Sequence, residues 1–451
     1  MLIISSTLKK VVTATLPLCI GVFCIMFVQM VDAVYIGRLG VDELAVHGMM
    51  VPFSSVFTGI QVGIGVAAIS IISKALGAKD EQTAKTTTSL YFTAGLLFIA
   101  VVCLTLFYLK AHIFNIFVSS DIDSAKYVEL FAIFSRYWPF WLFSCLMTAT
   151  LYFTTCVYRA NGDNKKTGSM FVASSALNFV LDPLFIFVFD MGIVGAAIAS
   201  AISFSATAIF MLYKAKSASW FNRIHFDKND FSHFQHLVKL TLPTMVNQFL
   251  PSISAFLGMY MISRLGTDSI AFWSMLLRVE SFLLMFTLAL TMSIPPMISF
   301  YLGANKIQEI DDLVKTTAKF LIASHITLAL LLMLGLKPFV LILSTQPLIQ
   351  DWLYNALLII PLSYGPLGLC MVVVSSFNAL GEPKRALLVS FIRLFVFYIP
   401  AIYTGTSTGD IQSTVIAASI ANLCAGTAAW LLLSKRLKTL LCNRRQSLVT
   451  A

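Results

Sequence analysis

Eight stretches of this chain contain no Asp, Glu, Lys or Arg: 44–73, 86–109, 137–158, 191–213, 240–263, 281–305, 352–381 and 411–434. Each is long enough, as a helix, to cross a hydrocarbon core of roughly 30 Å. Lipid offers the backbone no hydrogen bonds, so such segments are helical or belong to a closed barrel. Further apolar stretches fill the gaps: 167–189 holding Asp182, 269–280, 320–336, and 386–409 holding Arg393. The expected spans are about 11–37, 44–73, 86–109, 127–158, 167–189, 192–213, 240–263, 269–302, 320–336, 352–380, 386–405 and 411–434. The chain therefore reads as an all-α polytopic membrane protein with twelve transmembrane helices. The first span is too long for a signal-peptide core and no small-residue cleavage site follows it, so it is expected to remain a helix.

Basic residues orient the spans. With the N-terminus in the cytoplasm, the termini and inward loops hold 23 Lys and Arg, against 5 in the outward loops. Arg136, Arg278 and Arg393 fall within spans. Both termini are expected inside. A basic face beside anionic lipid accounts for the formal net charge of +10, so nucleic acid is not an expected partner. Seven of the eight cysteines lie in spans, Cys442 lies in the tail, and no CxxC occurs. With six scattered histidines, nothing indicates a resident metal, a disulfide or another cofactor.

The chain also repeats itself. "YIGRLGVDELA" (35–45) matches "MISRLGTDSIA" (261–271) at an offset of 226, which also aligns "TLP" at 15–17 with 241–243 and "LGA" at 76–78 with 302–304. At an offset of 219, "NGDNKK" (161–166) matches "LGEPKR" (380–385). The expected domains are an N-terminal six-helix bundle (1–213), a cytoplasmic linker (214–239), and a C-terminal six-helix bundle with a basic tail (240–451). Six is even, so both halves keep one orientation and are related by an axis along the membrane normal.

The repeat breaks where the chemistry is. Asp32 corresponds to Gly258, and Asp182 to Ala401. Counting from the nearest charged or turn residues at about 1.5 Å per residue puts Asp32, Asp182 and Ser200 roughly 9–12 Å inside one membrane boundary. Asn178 shares a helix face with Asp182, and Gln29 with Asp32. A carboxylate at mid-helix costs about 2.5–3.5 kcal/mol on the insertion scale. Two close together disfavour double ionisation, so a proton or a sodium ion is the natural resolution. Alternatively, each aspartate bonds backbone freed by a nearby proline such as Pro183. Glu280, in "RVESF", lies near mid-membrane and corresponds to Ser54; it has either a functional role or a structural pairing. Pro17 interrupts the first span, as a bend point or as a static kink.

"MVDAVYIGRLGVDELA", "LNFVLDPLFIF" followed by "MGIVGAAIAS", and "RANGDNKK" resemble the multidrug and toxic compound extrusion (MATE) transporters over nearly the whole chain. The acids in the N-half, "RVESF", and the lack of acids in the seventh and tenth spans resemble the family's DinF-like branch. The resemblance implies two pseudo-symmetric six-helix bundles and cation-coupled export of cationic or amphipathic organic compounds, in a bacterial inner membrane. It implies Asp32 as the coupling acid, with Asn178, Asp182 and Ser200 completing a hydrogen-bonded or sodium-binding cluster. The family usually has threonine where Ser200 stands, and serine keeps the hydroxyl. Pro17 becomes a candidate bend point, and Gln29 and Tyr137 candidate cavity residues beside Asp32. The coupling ion is expected to be a proton, with sodium the alternative, and the protein to act as a monomer.

Three other functions fit a chain with many spans less well or as alternatives. The basic loop motif of major-facilitator transporters is absent between the second and third spans, where the chain reads "SKALGAKDEQTAK". A lipid or oligosaccharide flippase of the same superfamily is the alternative, although intramembrane arginines are few. No metal cluster or GxSxG supports an intramembrane enzyme, so no catalytic residues are assigned.

Overall fold

A computed structural model describes residues 6–118, 123–224 and 228–449, and every regular element in them is helical. Twelve described helices are long and apolar enough to cross a membrane. Many of their large apolar side chains face outward, among them Phe256 (73% exposed) and Leu334 (85%). That much exposed apolar surface needs lipid around it.

The chain forms two compact units. One comprises Pro17–Leu76 and Asp80–Thr241. It holds most of α1 (Ser6–Gly37) and α2 (Val41–Gly77), then α3 (Glu81–Tyr108), α4 (Lys110–Phe117), α5 (Ser124–Ala160), α6 (Asn164–Pro183) and α7 (Gly192–Ser217). The other comprises the chain to Leu16, Gly77–Lys79 and Leu242–Ala451. It holds most of α8 (Lys228–Ser263), then α9 (Thr267–Leu283), α10 (Met285–Gly303), α11 (Ile307–Leu334), α12 (Leu336–Leu343), α13 (Pro347–Ala379), α14 (Pro383–Phe391), α15 (Ile399–Ser407) and α16 (Ile411–Val449). The start of α1 thus packs within the second unit. Val11 joins the core formed by Leu290, Ile294 and Val373, and the Thr15 and Ser293 hydroxyls bond at 2.8 Å.

The internal repeat extends to single hydrogen bonds. Ser73 Oγ donates to the Ala160 carbonyl at 2.9 Å, and Ser299 Oγ donates to the Ala379 carbonyl at 2.8 Å. Lys79 and Asn305 take φ of 61° and 55°, and Gly162 and Gly381 take 82° and 75°. This is the left-handed region, where glycine carries no steric cost. The short helices α4 and α12 occupy matching positions as well. Each pair is separated by one of the two sequence offsets, so the duplicated turns keep one backbone geometry.

Several boundaries differ from the hydropathy pattern, because helices continue past the apolar run. The apolar stretch 320–336 is the end of α11, which begins at Ile307; the charged first turns of α11 still make helical hydrogen bonds. Most of the polar stretch 214–239 is also helix, since α7 runs to Ser217 and α8 starts at Lys228. Residues 225–227 of the expected linker lie outside the described residues, as do the side chains of Lys228 and Arg445. Arg159, one of the cations counted in the inward loops, is 2% exposed. Its guanidinium bonds Cys156 Sγ and sits 5.5 Å from the Tyr152 ring centroid.

Candidate functional site

Four helices of the first unit carry the candidate site. α6 is a continuous helix up to Pro183, followed by a π-helical turn, Leu184–Val188, in which the Phe189 N–H reaches the Leu184 carbonyl at 2.9 Å. Proline removes a donor and disturbs the preceding turn. π-Turns of this kind gather at functional positions. Asp182 sits immediately before this irregularity and is fully buried.

Asn178, one turn earlier, is also buried and donates from Nδ2 to Asp182 Oδ1 at 3.0 Å. The same amide nitrogen lies 3.4 Å from Ser200 Oγ on α7. The side chains of Asp32, from α1, and Asp182 lie next to one another. Two carboxylates are both acceptors, so such a pair requires a proton or a cation between them. Asp32 Oδ1 and Asp182 Oδ2 are buried and receive no conventional donor among the described residues. Asp182 accepts an amide rather than backbone freed by Pro183. Asp32, Asn178, Asp182 and Ser200 therefore form one group.

The other candidates lie at different distances from it. Tyr137 on α5 is 2% exposed, and both carboxyls contribute to its electrostatic surroundings. Its hydroxyl is 3.4 Å from His47 Nδ1 on α2. Sequence reasoning set His47 aside with the scattered histidines; ninety residues separate the pair, and no local pattern links them. Gln29 is exposed. Pro17 packs against α6, where Gly168 lets the two helices touch: a Cβ on Gly168 would overlap the Pro17 carbonyl.

Glu280 belongs to the second unit. It does not pair with its neighbour Arg278. Tyr364 lies near it, and Arg393 acts on it from α14's continuation. Both charged residues line a cavity of about 180 Å³. Among the described residues, no group of three or more His, Cys, Asp or Glu is placed to hold a metal ion.

The sequence pattern of the MatE family matches residues 17–184 and 243–404. The FAD transporter of Shewanella oneidensis is 24% identical over 435 residues, covering 94% of each chain. The multidrug export protein MepA of Staphylococcus aureus is 25% identical over 305 residues, covering 67% of this chain and 66% of its own. The crystal structure of the Vibrio cholerae MATE transporter VcmN in the bent form superposes with a TM-score of 0.91 at 35% identity, over 97% of this chain and 98% of that one. Matched in both halves, and sharing its architecture with a solved member, the chain belongs to the MatE family of membrane transporters.

Proposed function

We propose that this transporter exports cationic or amphipathic organic compounds in exchange for protons, with both termini in the cytoplasm of a bacterial cell. The carrying observation is the pairing of half-buried Asp32 with fully buried Asp182, which has two buried oxygens lacking conventional donors and, among the described residues, no Lys or Arg bonded to it. A carboxyl pair of this kind takes up and releases a small cation. An organic cation competing for the same charge gives the two ligands opposite preferences, and antiport requires such a difference. Asn178 holds Asp182 in place, Ser200 in turn accepts from the same amide, and Tyr137 lies within electrostatic range of both carboxyls. Sodium is the second reading for the coupling ion, since two carboxylates, an amide and a hydroxyl are hard oxygen ligands.

Relatives are named for multidrug export and for FAD transport. The unneutralised acids favour export of cations. A flippase for lipids or oligosaccharides is the runner-up. Asp32 and Asp182 in the first half, "RVESF" in the second, and the lack of acids in the seventh and tenth spans support placement in the DinF-like branch. The test is transport in proteoliposomes with proton and sodium gradients imposed separately. Ethidium movement driven by the proton gradient alone is expected. Movement indifferent to both gradients would refute antiport.

A further inference from the structure

The second unit reverses the chemistry of the first. Where the first unit has Asp32 and Asp182, the second has Gly258 and Ala401; where the second has Glu280 and Arg393, the first has Ser54 and Ser174. Arg393 lies ten residues into the helical run that starts at Pro383, about 15 Å along it. Glu280 lies thirteen residues beyond Thr267, about 20 Å along its own run. Both therefore sit within the hydrocarbon level. Ionisable groups there are costly and mark ligand pathways.

Arg393 is held on a π-helical turn, Ile392–Tyr398. Among the described residues its guanidinium has no ion-pair partner within 4.0 Å, because Glu280 acts on it only from longer range. The two charges face one cavity, whose walls include Trp273, Leu276, Tyr398 and Asn422. At about 180 Å³ the cavity exceeds the ~150 Å³ that accepts a benzene molecule. The planar fork of arginine matches a carboxylate or phosphate with two parallel hydrogen bonds. Trp273 and Tyr398 offer flat faces beside it.

We propose that the cavity between Glu280 and Arg393 is a substrate subsite for an oxyanion carried on a flat aromatic body. Arg393 binds the oxyanion, the aromatic walls take the ring, and Glu280 opposes entry, which keeps the bound state weak enough to release. This rests on the transport reading above and adds an anionic substrate group to it.

The test is equilibrium dialysis of 2-naphthoate, with neutral 2-naphthamide as the matched control, against purified protein in nanodiscs at neutral pH. The wild-type protein is expected to bind naphthoate at least tenfold more tightly than naphthamide. Arg393→Gln should bring that ratio close to one with naphthamide binding unchanged, and Arg393→Lys should give an intermediate ratio. Glu280→Gln should tighten naphthoate at least threefold; it decides the matter if Arg393→Gln fails to fold. A wild-type ratio near one, a ratio preserved in Arg393→Gln, or no tightening in Glu280→Gln overturns the proposal. Binding is read without transport, so failure here leaves the proton-gradient experiment to decide the transport function separately.

Discussion

Two glycine-to-alanine changes test the packing account because their expected signs differ. Gly168 and Gly258 both lie inside helices, α6 and α8. At Gly168 the three nearest atoms to an added Cβ all belong to Pro17, two of them backbone, and all are closer than 3.0 Å. Backbone cannot rotate away as a side chain can, so the methyl must push α1 from α6. Overpacking costs about 1–3 kcal/mol. Alanine recovers up to about 1 kcal/mol of helix propensity over glycine, leaving Gly168→Ala destabilised by roughly 0–3 kcal/mol. At Gly258 the nearest atoms belong to the Tyr398 ring at 3.6 Å, ordinary contact. Only the propensity term remains, so Gly258→Ala is expected to be neutral or stabilised by up to about 1 kcal/mol. Thermal unfolding in one detergent, followed by intrinsic fluorescence, compares them. Gly168→Ala should melt below the wild type, and Gly258→Ala at or above it. Equal melting of the two variants would refute the claim that Gly168 seats Pro17.

Further predictions concern the repeat, the caps and the topology. Ser73→Ala and Ser299→Ala each remove one buried hydroxyl-to-carbonyl bond, and each should cost about 0.5–1.5 kcal/mol; thermal unfolding should show the two losses to be similar. Asp80 caps α3 by accepting the Thr83 N–H at 3.0 Å, which holds its carboxyl below the ordinary value. This capping contribution is present above the unfolded value of about 3.9 and is lost as pH falls through the lower folded value; Asp80→Ala should therefore weaken stability at neutral pH and flatten that acid limb. Single cysteines in 38–43 and 264–268 should react from one side of the membrane, and those in 161–166 and 382–385 from the other; labelling with an impermeant thiol reagent reads this directly.

The spans and the duplication were legible because both are written in local patterns. Charge-free runs report the membrane, and "RLG" or "TLP" recurs at a fixed offset. Part of the candidate site was legible for a similar reason: Asn178 and Asp182 share a face at one helical turn, and depth counting put Asp32 and Ser200 at their level. What stayed hidden depends on contacts between distant segments. His47 meets Tyr137 ninety residues away, and Arg393 faces Glu280 across a cavity formed by three further helices. The π-turns after Asp182 and around Arg393 leave no clear mark either, since Pro183 predicts a disturbance without its form. The burial of Arg159 left no mark either, because hydropathy cannot see the Tyr152 ring and Cys156 thiol beside it.

The central claim is that the charge of Asp32 is balanced by a mobile cation. Asn keeps the shape of the side chain and cannot ionise. Ethidium efflux from proteoliposomes under an imposed proton gradient should therefore fall to the protein-free leak in Asp32→Asn, while the variant inserts and melts as the wild type does. Gradient-driven efflux at the wild-type rate in Asp32→Asn would contradict the account.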